Sequence, residues 1–371
     1  RSTAATRVNA SGNIEKETQN LSLYSNTFSS WTAQSSGSVT SGQSGYDGTN
    51  DAWLLTSGSF TYSRIERTIN YTGLYTISLY AKAGTLSWLS FENSGITSDE
   101  TYFDLVNGTT GTNGSNVVRS SIESVGNGWY RCTATLSGTS NVQRIYPAVG
   151  NGDLNSAQGN IYIQDFQFEQ GLVARDYIET TTTAIYGGIT DNVPRLDYTD
   201  SSCPALLLEP QRTNLVTNSE YFDASSWSQY VYGGASLTRT FGYESPEGNN
   251  NAYKFDVVVG AGGVLLTDNI TINPANAQTL SIWMKGQNGG EKVMLALRNA
   301  GSAGASGDIM TLTSEWARYD VTLTTAATDR GFQFRMLSSN GVVDQTIYVY
   351  GAQLEEGSYA TSYIPTYGSA V

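Results

Sequence analysis

Residues 351–364 read GAQLEEGSYATSYI, and residues 165–178 read DFQFEQGLVARDYI. Glutamine, glutamate, glycine, alanine, tyrosine and isoleucine recur in step. Each copy follows a short alternating run, IYI in the first case and IYVY in the second. A catalytic signature is seldom duplicated within one chain, whereas a folding unit often is, so the repeat is read before anything else.

Working outward, the two copies prove to be the ends of longer matching stretches. NLSLYSNTFSSW matches NLVTNSEYFDASSW, which sets Asn20 on Asn214, Phe28 on Phe222 and Trp31 on Trp227. YTISLYAKAG matches TLSIWMKGQ, so Tyr80 falls on Trp283 and Lys82 on Lys285. WYRCTATL matches WARYDVTL, placing Trp129 on Trp316 and Arg131 on Arg318. All of these occur in the same order, as expected of an internal duplication. The predicted organisation is a connector at 1–17, a module at 18–180, a second connector at 181–211 and a second module at 212–371.

Alternation decides the secondary structure. In YTISLYAK, Tyr75, Ile77 and Leu79 share one side, and Thr76, Ser78 and Tyr80 the other, which is the period of a half-buried strand. RCTATL, TLSIWM, VMLAL and YDVTL behave alike, with glycine- and asparagine-rich turns between them. No long amphipathic helix is legible. The expected fold class is all-β, two tandem jelly-roll β-sandwich modules, each burying the alternating apolar faces of two sheets. The connector from 181 to 211 holds Pro194, Pro204 and Pro210, which break regular structure. Its run ALLLEP is too apolar for a loose linker and is expected to pack on a module or a partner chain.

Composition narrows the function. The chain has 371 residues, a net charge of -13 and only 14% charged residues, with 24 tyrosines and seven tryptophans. The acidic balance argues against nucleic acid, whose phosphates need a basic surface. It is compatible with cations, with neutral glycans, or simply with solubility. The lack of histidine removes histidine triads, histidine-bearing zinc sites and the usual general base. Cys132 and Cys203 do not make a disulfide framework; Cys132 sits in a strand-like run as a small apolar residue. No apolar run approaches membrane-spanning length, so no membrane insertion is expected. The chain opens without methionine or a leader, as a processed product or a fragment does.

The order of these motifs resembles the carbohydrate-binding-module superfamily with a galactose-binding-like jelly roll, and the resemblance covers both modules. A narrower one lies in PRLDYTDSSCPALLLEPQRTNL, residues 194–215, and GAQLEEGSYATSYIPT, residues 351–366, which look like phrases of phage structural and tail-fibre proteins. It implies a non-enzymatic virion protein, a fibre or capsid decoration, displayed as a homo-oligomer (a trimer in fibres) beside other virion proteins and attaching to cell-surface glycans. The alternatives are a secreted carbohydrate-binding module pair working extracellularly, or a purely structural oligomerisation protein.

The resemblance also sorts the candidate residues. Trp31, Trp227, Trp129 and Trp316 recur in both modules, which points first to packing. Tyr80 and Trp283 lie on the more polar side of their strands and are candidate rings for stacking on sugars. Trp88, Trp53 and Tyr102 would form a platform private to the first module. Arg131 and Arg318 would hydrogen-bond a glycan or anchor a nearby group; anchoring is preferred. Glu169 and Glu355 recur beside a glycine, one per module, which is not the paired-carboxylate arrangement of a glycosidase. Related modules hold a structural calcium near the first and last strands. Asp165 stands at the apt place, but its counterpart is Gly351, which weakens a calcium site in the second module.

Overall fold

The structure, a computed structural model, describes residues 6–94, 100–155, 158–189, 194–199, 202–268, 270, 272, 276–298, 305–324 and 331–371. Those residues fold almost wholly as antiparallel strand, with short 3-10 turns at Phe28–Ser30 and Ser338–Asn340. Among them no helix is long and apolar enough to cross a membrane. The chain divides into two compact units: Thr18–Gly187, and Gly188–Val371 together with the opening stretch up to Glu17.

The first unit is built on two long paired strands, Arg64–Ala83 and Trp129–Ala148. Where Ala83 and Trp129 meet, the pair is extended by Val117–Gly126 on one side and by Gly159–Gln170, Ala52–Ser57 and Ser38–Gln43 on the other. Its other half is extended by Thr32–Gln34 and by Trp88–Asn93, Thr101–Asp104 and Thr109–Asn113. Buried side chains from both halves form one cluster, including Tyr75, Ile77, Leu79, Phe91, Phe103 and Ile163, so the unit is a β-sandwich. Each large ring so buried contributes roughly 1.5–3 kcal/mol.

The second unit repeats this strand order with the long strands cut in two and, among the described residues, without counterparts of Thr109–Asn113 and Val117–Gly126. One five-stranded sheet runs Trp227–Tyr232, Gly263–Asp268, Phe332–Leu337, Lys292–Arg298, Ala305–Thr311. The other runs Ser236–Tyr243, Ala252–Val258, Gln345–Glu356, Gln278–Gly286, Ala317–Leu323. Phe222, Trp227, Phe255, Ile282, Phe334 and Val349 lie together between them. Trp31 and Trp227 are equivalent here, each buried in its core and donating its indole N–H to a backbone carbonyl, Tyr24 at 3.0 Å and Asn218 at 2.9 Å.

The duplicated phrase is a clasp. Asn20 donates to the carbonyls of Phe166 and Ile178 and accepts from the amides of Ser22 and Phe168. Asn214 makes the matching bonds to Ala352, Ile364, Val216 and Leu354. Gln167 and Gln353 accept from the amides of Ile178 and Ile364 at 2.8 and 2.7 Å. Glu169 and Glu355, both buried, accept from the amides of Arg175 and Thr361 at 3.0 and 2.8 Å. The tyrosines close the unit through Ser25–Tyr177 and Ser219–Tyr363, both 2.6 Å. The asparagine, glutamine and glutamate therefore satisfy backbone groups that would otherwise be buried without a partner.

This clasp changes one expectation. Thr76 and Ser78, on the polar side of their strand, are buried as well. The segment after the last strand folds back over that side, with Thr76 donating to the Gly171 carbonyl at 2.7 Å.

The opening stretch and the connector from Gly188 onward form part of the second unit. Arg7–Val8 pairs with Ile14–Glu15, and Leu196–Asp197 with Ala205–Leu206. Arg195 donates to the Thr6 carbonyl at 2.8 Å and to Glu209 at 2.7 Å. Glu209 in turn accepts from the amide and hydroxyl of Ser362, both at 2.7 Å.

Candidate ligand-binding face

In each unit one sheet turns a second face away from the core, and residues directly opposed on neighbouring strands share a face. On this outer face of the second unit, Lys254 opposes Tyr348, and Tyr348 opposes Lys285. Trp316, just ahead of Ala317–Leu323, lies against Lys285. The Lys285 ammonium sits 5.2 Å from the ring centres of both Trp316 and Tyr348. Tyr243 meets Tyr348 edge to face at 5.3 Å, and Lys254 stands 5.6 Å over Tyr243. All of these side chains are half-exposed. Next along the strands, Asp256 accepts from Lys254 at 2.8 Å and from Thr346 at 2.7 Å. Asp256 and Thr346 also begin a groove of about 630 Å³ lined by Gln287–Lys292 and Val343–Gln345.

The first unit carries the same row. Trp129, Lys82 and Tyr162 oppose one another across three strands, with Leu54 in the place of Lys254. Trp129 is buried there rather than in the inter-sheet cluster, its ring 6.5 Å from Tyr162 and 6.4 Å from Tyr46. Trp129 and Trp316 thus occupy equivalent settings on the outer face.

Tyr80 and Trp283 lie one row further along. Tyr46 stacks on Tyr80 at 3.7 Å, nearly parallel, and covers one face of its ring. Trp283, Trp316 and Tyr243 all pack against one small cluster of Ile14, Ala252, Tyr350 and Tyr363, and Trp283 and Tyr80 are half-exposed like the rings of the neighbouring row. Arg131 and Arg318 anchor the returning segments: Arg131 donates to the Arg175 carbonyl and to Ser78, and Arg318 to the Thr361 carbonyl at 2.6 Å and to Ser281 at 2.8 Å. Burial lowers the Arg318 pKa.

Trp53, Trp88 and Tyr102 are not assembled into one platform. Trp53 packs against the core, edge-on to Phe28, with its indole N–H on the Asn26 carbonyl at 3.0 Å. Trp88 and Tyr102 lie on the other sheet half, where Trp88 opposes Asp104 and Tyr102 opposes Ser90.

Asp165 has φ +57 and Gly351 φ +67, each at a bulge in the last strand of its sandwich. The correspondence is one of backbone, since the left-handed conformation tolerates aspartate and favours glycine. Tyr46 donates to the Asp165 carboxylate at 3.0 Å. Burial, with the nearby charges of Asp51, Asp47 and Glu179, pushes that carboxyl up to about 7. Asp47 and Asp51 oxygens accept from Thr49 and Gln164. Among the described residues no group of three or more histidine, cysteine, aspartate or glutamate side chains is arranged to hold a metal ion. In the second unit Lys16 is buried against Glu220, at 2.5 Å, and Glu247. Glu247 is on the turn that corresponds to the one bearing Asp47.

Sequence reasoning missed Tyr348, Tyr243, Tyr162 and the lysines as face residues. The signal was present: IYI and IYVY carry Tyr162 and Tyr348, and Lys82 aligns with Lys285.

No family model and no curated protein matches the chain. Among solved structures, the chain is similar to a tandem pair of family 22 carbohydrate-binding modules of Paenibacillus barcinonensis Xyn10C, with 14% identity over 91% of this chain and 97% of that one, at a TM-score of 0.29. A family 4 carbohydrate-binding module is 12% identical over 40% of this chain and 95% of its own, at a TM-score of 0.30. The enzymatically active domain of tailspike protein 4 of bacteriophage CBA120 is 13% identical over 38% of this chain and 21% of its own, also at a TM-score of 0.30.

Proposed function

We propose that this is a non-enzymatic glycan-binding protein working outside cells, and that it binds through the outer faces of its sandwiches. The observation that carries this reading is the row Lys254, Tyr348, Lys285, Trp316 with Tyr243 beside it, half-exposed and continuing into the 630 Å³ groove. Aromatic faces match the weakly apolar C–H faces of sugars, and flanking polar groups take the hydroxyls. Two such faces in one chain gain by joint attachment where each is weak.

Display on a virion appendage rests on the phrases at 194–215 and 351–366. Arg195–Glu209, Glu209–Ser362 and the Glu355 clasp are folding contacts made by these phrases, whereas Leu206 and Leu208 within the first of them are exposed.

The test is retention on a panel of immobilised polysaccharides, with Tyr348→Ala and Trp316→Ala variants whose folding is checked by circular dichroism. Loss of the ring contacts is expected to weaken retention about tenfold or more, at roughly 1–3 kcal/mol per stacked ring. Native protein that no polysaccharide retains would leave the purely structural reading standing instead.

A further inference from the structure

Lysine occurs at five positions, 16, 82, 254, 285 and 292. Lys16 is buried in an ion cluster. The other four lie on the outer faces or line the adjoining groove. In a chain of net charge -13 that placement is not how lysine is spread for solubility. Lys82, Lys285 and Lys292 have no carboxylate partner among the described residues, whereas Lys254 is paired with Asp256.

The two faces agree where it matters. The next row changes from Tyr80 to Trp283, and the edge from Leu54 to Lys254. The central triplet stays the same: Trp129, Lys82 and Tyr162 in one unit, Trp316, Lys285 and Tyr348 in the other. The Lys285 ammonium, held between two rings and lacking a counter-charge, is a half-made contact, and Lys82 takes the same register position in the first unit. A neutral sugar leaves it so; a carboxylate or sulfate completes it with a charge-assisted hydrogen bond.

Resting on the glycan reading above, we infer that the ligand is an acidic polysaccharide, whose uronate carboxylates or sulfate esters are met by Lys285 in the second sandwich and Lys82 in the first. Asp256, Glu291 and Asp344 line the groove and repel an anion there. The acidic group therefore sits at Lys285, two strands away from Asp256, and the groove takes neutral parts of the chain.

The experiment compares the full chain with its Lys82→Gln/Lys285→Gln and Lys82→Arg/Lys285→Arg variants by titration calorimetry. The ligands are oligogalacturonate, chondroitin sulfate oligosaccharides and neutral xylohexaose. The carboxylate and sulfate arms distinguish the two sources of negative charge. The glutamine variant is expected to lose roughly tenfold or more in affinity for the acidic ligand and distinctly less for xylohexaose, whose hydroxyls the glutamine amide still meets, while arginine retains binding. Binding of xylohexaose with no preference for either acidic ligand overturns the inference and leaves the glycan reading intact. Binding of none of the three, nor of any polysaccharide in the panel above, overturns both. Should the glutamine variant fail to fold, salt decides: acidic-ligand affinity of the native protein that does not fall between ~20 and ~300 mM NaCl counts against the inference.

Discussion

Asp165 shows how much one side chain adds to a shared backbone. Its counterpart, Gly351, keeps the left-handed bulge without a charge. The folded carboxyl is raised from 3.8 to about 7, mainly by burial. Between those values the folded chain holds a proton that the unfolded chain has released. Stability from this group is therefore full below 3.8 and is lost as pH rises to about 7. Asparagine accepts the same backbone conformation and has no charge to bury. Thermal unfolding of the first unit, read as native minus Asp165→Asn, is expected to decline through that window; a difference that stays level with pH would refute it.

At the scale of the strand, the bulge shifts the pairing of the last strand by one residue, between Gln164 opposite Tyr80 and Gln167 opposite Ser78 in one unit and between Tyr350 opposite Trp283 and Gln353 opposite Ser281 in the other. In Gln345–Glu356 the bulge leaves no room: a methyl added to Gly351 meets the Tyr363 ring at 3.2 Å, with φ already positive. Gly351→Ala is expected to cost the second unit about 1–3 kcal/mol by urea unfolding. An unchanged midpoint would show that ring and strand move apart without cost. The clasp residues were legible as a repeat, because identical letters recurred at identical spacing. Their work was not legible, because Asn20 and Asn214 bond partners more than a hundred residues away.

At the scale of the molecule, chain order and folding units part company. Residues 6–17 precede the first sandwich yet belong to the second unit, with Thr6, Ile14 and Lys16 buried. The Lys16 ammonium pairs with both Glu220 and Glu247 among the rings of Tyr350, Tyr363 and Tyr367. Removing one partner of such a buried cluster leaves uncompensated charge. Lys16→Met is expected to destabilise the second unit by about 3–5 kcal/mol and leave the first unchanged, seen as a shift of one of two calorimetric transitions. A shift of the first unit's transition would contradict the assignment of this stretch.

Periodicity and self-similarity in the sequence were enough for the all-β class, the doubled sandwich, and the pairing of Trp31 with Trp227 and Lys82 with Lys285. These are local signals: an alternating strand states its own two faces, and a repeat states its own period. Which polar face is covered was settled only in three dimensions. Tyr46 reaches Tyr80, and Ile14 reaches Trp283, from stretches that no spacing rule connects to them. Tyr348 and Trp316, one row along, join Tyr80 and Trp283 as half-exposed rings on these faces.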